Sequence, residues 1–490
     1  MKSSTRSQRN ARFKRHCTQT PDRPALRLGD TGAAVEEMQR RMNKFVLPIA
    51  EDGNFGPHTH HAVCSFQYRM FLTEDGIVGP LTWKALFAEM PAKTPVLQLG
   101  SRSGEVREVQ RILIRVGVYR SLSQVGVADG IFGQVTREAV KRYQADRHLQ
   151  DTDGIVGRFT WQKLAEDRLD AAGYPIRQID LVNRKKGHSD KISAIATAAG
   201  TTSIFTGSVD TLEQRWSEKG DRASTPTLGH RQGERGSLSD VVINPRTTEV
   251  ISSTYGGTIR TGNFQQTTKR SFPGRGGSIT AIDISPNGRI IAAGNLDRSV
   301  RLFTLTGGLE AQRTVHDKSV ADIVFNPRKE RFGGQLVSID RAQQILLWKG
   351  AQEVGTPTLN PTVLAEAQQV TRQPAIALSN SGYLIAATGA NRLRLFSTLG
   401  SLLAEAEYNS EINAVALSPC NRYLALACSD RTVQIIDLSV AAATSAHLLK
   451  PISILKGHHS SVTAVSFALS SAHLYSGDET GELLTWEIKR

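Results

Sequence analysis

The sequence predicts a multidomain chain: two small all-α three-helix modules followed by an all-β seven-bladed propeller. Three observations carry this. The phrase Asp-Gly-x-apolar-Gly-x-x-Thr occurs four times in the first third of the 490 residues and not afterwards. Apolar residues in that third recur at the spacing of a helix face. After Tyr174-Pro175 the apolar period shortens to two, and a strand-turn-strand pattern repeats about every 40–50 residues, the spacing of propeller blades.

Residues 1–24 read as a basic disordered tail. Lys2, Arg6, Arg9, Arg12, Lys14, Arg15 and Arg23 face the single acid Asp22, so the tail holds about six of the net +14 charges. Such an arm suits a polyanion, such as nucleic acid, or a plain solvated role. It lacks the apolar stretch of a secretory signal, so the chain either stays in the cytoplasm or leaves by a route the sequence does not show. No apolar run nears the ~20 residues a membrane span needs, so no transmembrane helix is expected. Cys17, Cys64, Cys420 and Cys428 form no CxxC and no disulfide framework.

The four phrases begin at Asp52, Asp75, Asp129 and Asp153. Asp can accept backbone N–H groups in a tight turn, and the following Gly tolerates positive φ. The apolar fourth residue (Phe55, Val78, Phe132, Val156) points into a core. The second Gly serves as N-cap, with Pro57 and Pro80 at the first helical position. Thr59, Thr82, Thr136 and Thr160 fall in the first turn. Upstream of each pair, Val35, Met38 and Met42, or Val106, Val109 and Leu113, mark a third helix. This gives modules at residues 25–90 and 96–168. Trp83 and Trp161 sit at core spacing.

These residues, together with Leu28-Gly29, Gln39, Phe66-Gln67, Leu99-Gly100, Gln110 and Tyr143-Gln144, give the modules a strong resemblance to tandem peptidoglycan-binding-like domains. The resemblance implies a bacterial chain, anchored to the glycan-peptide of a cell wall outside the cytoplasm, or to a protein in its place. The loop polar groups Asp52, Asn54 and Asp129, with Tyr68 and Arg69 on the following helix, are the candidate ligand contacts. The run "HTHHAVC" puts His60 or His61 within a helical turn of Cys64, but no second cluster completes a metal site, and no metal or cofactor is expected.

Residues 176–490 read as the propeller. Its inner strands are "ISAIATA", "LSDVVIN", "ITAIDIS", "VADIVFN", "PAIALS", "INAVALS" and "VTAVSFA". Third strands end at Trp216, near Gly262, and at Phe303, Trp348, Phe396, Ile436 and Trp486. This half resembles a WD-repeat β-propeller. The resemblance implies a buried structural tetrad at His188, Thr206, Asp210 and Trp216, and a platform for protein partners. Other blades keep fragments: His316 with Trp348, Asp297 with Phe303, Asp430 with Ile436, His458 with Trp486. Blade two has Gly256 and Gly262 where Asp and Trp are expected. The strand 176–182 is expected to complete the last blade beside the C-terminal strand, which removes exposed edges.

No catalytic constellation is found: no GxSxG, HExxH or phosphate-binding loop. The chain therefore reads as a non-catalytic adaptor or scaffold. The alternatives are a wall-associated partner of a hydrolase, or a polyanion binder acting through its tail. On the propeller, Arg298, Arg392 and Arg431 recur in the turn before the third strand. They are candidate anion contacts around one face, or simply turn residues paired locally.

Overall fold

The computed structural model describes residues 23–43, 45, 49–73, 75–115, 118, 128–168, 176–197, 203–223, 236–245, 247, 249–262, 269–275, 277–327, 335–349, 360–365, 374–379, 382, 384–398, 400–419, 421–438, 449–468 and 472–489. Residues 1–22, with Cys17, and Cys420 lie outside this set.

Among the described residues six helices come first: α1 (Ala33–Met42), α2 (Pro57–Arg69), α3 (Pro80–Ala88), α4 (Gly104–Arg115), α5 (Gln134–Asp146) and α6 (Arg158–Arg168). Gly56, Gly79 and Gly133 are the N-caps of α2, α3 and α5, and Pro57 and Pro80 occupy the first helical position. Each module closes on its own core. In the first, Val35, Met38 and Met42 meet Phe55, Val63, Phe66, Val78, Trp83 and Leu86. In the second, Val106, Val109 and Leu113 meet Phe132, Val140, Tyr143, Val156, Trp161 and Leu164. The extended segment before each first helix clips both loops of its module together. Leu26 bridges Val78 and Thr31 bridges Asn54; Leu97 bridges Val156 and Arg102 bridges Ile131. No helix among the described residues is long and apolar enough to cross a membrane.

The remainder forms seven antiparallel sheets, six of four strands and one, Ile192–Thr197 with Ser203–Ser208 and Glu213–Ser217, of three among the described residues. Successive inner strands pack side by side around the ring, the last (Val462–Phe467) beside the first (Ile192–Thr197). The strand Gln178–Lys186 lies outermost in the seventh sheet, paired antiparallel with Glu482–Lys489. It runs four residues further than the apolar stretch 176–182 suggested. Asn183, Arg184, Lys185 and Lys186 pair with Thr485 to Glu482 past a bulge at Leu181/Asn183. Their backbone groups are satisfied by the ladder whatever their side chains, so polar residues extend an edge strand without signalling it.

Three aspartates staple neighbouring blades through their inner strands. Asp240 accepts the N–H of Ile282 (2.9 Å), Asp283 that of Phe325 (2.6 Å) and Asp322 that of Ile376 (2.8 Å). The other oxygen of each accepts the N–H of the following residue at 2.7 Å.

Candidate functional site

The four Asp-Gly loops are built around one buried amide each. Gln39 Nε2 donates to Asp52 Oδ1 (2.9 Å), to the Asn54 carbonyl (3.0 Å) and to Thr59 Oγ1 (3.2 Å), while its Oε1 accepts the Gly53 N–H (2.9 Å). Gln67 makes the same four bonds with Asp75, Ile77, Thr82 and Gly76. Gln110 makes them with Asp129, Ile131, Thr136 and Gly130, and Gln144 with Asp153, Ile155, Thr160 and Gly154. Two N–H bonds are thus shared among three acceptors, and the amide is saturated at both ends. All four glutamines and all four threonines are buried.

This network explains the phrase. Asp Oδ1 accepts the amide and also the N–H two residues on, as in Asp52 to Asn54 (2.9 Å). Those bonds, the Asn54 N–H first, hold the Asp52 carboxyl below the usual carboxylate range. The Gly must be left-handed for its N–H to reach the amide: Gly76 has φ 70°, and a Cβ there would also strike the His60 ring.

The candidate ligand residues separate on this frame. Asp52, Asn54 and Asp129 are exposed, but their inner polar atoms are committed to the clamp. Tyr68 is buried, and Arg69 donates to the Phe45 carbonyl (2.6 Å) with its guanidinium against the Phe45 ring. The structure does not bring these five onto one surface. His60 Nδ1 lies 3.8 Å from Cys64 Sγ, and burial lowers the His60 pKa. No group of three or more metal-ligating side chains occurs among the described residues.

What the loops present outward is apolar, which polar-residue reasoning passed over. In the first module Leu28, Ile77 and Leu81 are exposed; in the second Val96, Leu99, Ile131 and Phe159, the last by 67%. The backbone ties these positions together. Gly29 donates to Phe55 O and Leu26 pairs with Val78, which sets Leu28 between the two loops of its module. Gly100 to Phe132 O and Leu97 with Val156 do the same for Leu99. Leu81 and Phe159 each stand at the second position of the helix that leaves the second loop. Each module therefore has a small platform of aliphatic or aromatic side chains on a rigid loop pair. Exposed apolar groups gathered in one place mark interaction surfaces. The signal in the sequence was the apolar residue between Gly and Gly: Ile77, Ile131 and Ile155 beside Asn54.

The propeller shows histidine anchors in three blades, two of them closed by a histidine–aspartate hydrogen bond. His188 bonds Thr206 Oγ1 (2.7 Å) and Asp210 Oδ2 (3.0 Å), and Trp216 Nε1 donates to the same hydroxyl (2.8 Å). His458 bonds Ser476 (2.6 Å) and Asp478 (2.9 Å), with Trp486 on Ser476. His316 and Trp348 share Ser338, with Asp340 at 3.6 Å from the imidazole. Sequence spacing missed Asp340 and Asp478 because each is the last residue of its second strand, two positions before the place Asp210 occupies.

Of the three turn arginines, Arg392 is tied within its own blade to Glu405 (3.2 Å) and Glu407. Arg298 and Arg431 are exposed at left-handed φ of 69° and 72°, in the turns where other blades place Gly257 and Gly481. Neither guanidinium has a polar partner among the described residues.

The modules match the family model described as "Putative peptidoglycan binding domain" twice, at residues 31–86 and 102–164. The propeller matches "WD domain, G-beta repeat" at residues 266–304, 400–437 and 449–487. Among curated proteins, the chain is 34% identical over 157 residues to a "Probable N-acetylmuramoyl-L-alanine amidase" of Bacillus licheniformis, covering 28% of this chain and 44% of the relative. It is 31% identical over 162 residues to N-acetylmuramoyl-L-alanine amidase CwlL of the same organism, covering 28% and 44%. It is 31% identical over 159 residues to N-acetylmuramoyl-L-alanine amidase CwlM of Mycobacterium tuberculosis, covering 29% and 38%. The chain thus spans less than half the length of these relatives, and the shared part is the peptidoglycan-binding region. This protein joins tandem peptidoglycan-binding-like modules to a WD-repeat propeller, a chain built for binding.

Proposed function

We propose that the chain is a non-catalytic adaptor: its loop platforms hold the peptide-bearing glycan of a cell wall, and its propeller presents turns and rims to protein partners. The observation that carries this is the pairing of saturated buried amides with exposed apolar side chains. Gln39, Gln67, Gln110 and Gln144 consume the polar groups of the loops, which leaves Leu28, Ile77, Leu81, Leu99, Ile131 and Phe159 as the outward chemistry. Aliphatic contacts suit the methyl-rich peptide stems of such a polymer, with backbone groups at the loop rims for its amides. The shared region with three amidases is consistent with a targeting role of the modules in either kind of protein.

The test is sedimentation of the purified full-length chain with peptidoglycan sacculi. Retention is expected, and the fourfold variant Leu28→Asp, Leu81→Asp, Leu99→Asp, Phe159→Asp should remain in the supernatant while keeping its circular dichroism. Wild-type chain left in the supernatant would transfer the platforms to a protein ligand.

A further inference from the structure

The two modules meet through a built junction. Phe71, just past α2, stands edge-on to Trp161 of α6, with ring centroids 4.7 Å apart, and packs against the second module's core. Arg158 Nε of the second module also reaches Met90 Sδ of the first at 3.3 Å.

Comparison of equivalent positions shows that this contact is specific to the joint. Aligned on their loops, Tyr68 and Phe71 of the first module correspond to Ala145 and His148 of the second. Phe71 and His148 share a left-handed backbone, φ 56° and 53°. Yet Tyr68 is buried, whereas Ala145 and His148 are exposed. The helix end is aromatic where another module docks against it, and small or polar in the module after which the sequence has no third.

We infer that the junction makes the modules a bivalent reader, whose ligand is a polymer that repeats its bound group along one strand. The inference rests on the wall-glycan reading above. Each module has its own platform, Leu28, Ile77 and Leu81 in one and Leu99, Ile131 and Phe159 in the other, so neither site needs residues from its neighbour. A ligand carrying a single bound group gains only a statistical advantage from a second platform. A repeating strand gains the effective concentration of an intramolecular second contact, and a fixed joint retains more of it than a loose tether because fewer arrangements are lost on binding.

The experiment compares the full-length chain on sacculi with the same chain on a soluble disaccharide-peptide monomer. Wild type is expected to bind the monomer at two equivalent sites and sacculi at least about 100-fold tighter. Leu28→Asp with Leu81→Asp, and separately Leu99→Asp with Phe159→Asp, should each remove most of that enhancement. Each should also drop the monomer stoichiometry from two to one without changing its affinity. Phe71→Ala should weaken sacculi binding about tenfold and leave monomer binding intact. If that variant unfolds the second module, a Gly-Ser insertion between Lys93 and Thr94 loosens the joint and takes its place. Sacculi binding unchanged by loss of one platform overturns the inference and leaves the wall-glycan reading standing, as does a monomer bound as tightly as the polymer. Wild type that binds neither probe overturns the reading and the inference together.

Discussion

In the helical third, the buried amide anchor is present at all four loops with the same four bonds. In the propeller, the imidazole anchor holds three blades, and no histidine anchor occurs in the other four among the described residues. The difference follows from redundancy. A module of three short helices has one small core, and each loop relies on its amide, with the clipping segment beside it, to fix the Gly and the exposed side chain. A propeller sheet is held by two neighbours and by ladders along every strand. Where the histidine is gone, other devices stand in: the Asp283 staple to Phe325, or the buried Arg301 and Arg394 at matching positions of their strands, paired with Asp297 and with Gln343. Uniform anchoring marks the region where single loops must be exact in shape; variable anchoring marks the region where the ring shares the load.

The comparison breaks most visibly if a module tolerates loss of its amide. Gln110→Leu removes four bonds at once and strands the Gly130 N–H and Thr136 hydroxyl in a buried site. Each stranded group costs about 1–3 kcal/mol, so a loss of about 4 kcal/mol is expected, enough to unfold a module of this size. Hydrogen exchange should show the second module open while the propeller keeps its protection. Uniform protection in both regions would refute the asymmetry.

His458→Ala is the matching change in the propeller. It leaves Asp478, which is fully buried, without its imidazole, and Ser476 with only Trp486. A cost of about 3 kcal/mol is expected for breaking a buried pair of this kind. The seventh blade also receives the closing strand, so thermal unfolding should shift as one transition of the whole ring.

Much of this was legible in the sequence and some was not. Phe55, Val78, Phe132 and Val156 announced their burial through spacing, as did Trp83 and Trp161. The clamp glutamines were visible as repeats but not as a mechanism, because a buried amide has no period of its own and its partners lie 8 to 26 residues away. Asp340 and Asp478 escaped because geometry lets a strand-end residue reach the imidazole as well as a turn residue does. The burial of Tyr68 was not legible either, because an aromatic near a helix end carries no sign of which side is covered. The platform residues were written plainly, but exposed Leu and Ile are common enough that only their convergence gives them meaning.

A smaller effect tests the substitute devices. Burial pushes the Asp283 carboxyl up to about 7 and Asp322 to about 6, against the two N–H bonds each accepts; Asp240 moves the same way. Asp322 adds repulsion at Asp283. A folded pKa above the unfolded one means stability that is complete below about pH 4 and lost as pH rises through the folded value. For Asp283 alone, that loss between pH 6 and 8 is about 1.4 kcal/mol. Asp283→Asn should flatten the stability profile by this amount in chemical denaturation run across that range. An unchanged slope would mean the staple stays ionised throughout, and the inner strands would then owe their contact to the charged form.

The smallest expected effect concerns the aspartates that have lost their histidine. Asp430 occupies the place of Asp210, yet among the described residues it accepts only from its own turn, the N–H of Thr432 (3.1 Å) and its hydroxyl (2.6 Å). Asp430 is itself exposed, so in Asp430→Ala water reaches the place of the carboxylate beside Thr432, and the cost should stay below about 1 kcal/mol. Asp210→Ala removes the same kind of turn bond, to Leu212, but also strands the buried His188 imidazole, and should cost about 2 kcal/mol more. The gap between the two in denaturant midpoint at constant slope isolates what the imidazole adds to one blade. If both variants cost the same, the turn bond alone is what the aspartate supplies, and the anchored and unanchored blades would be held equally well by their neighbours.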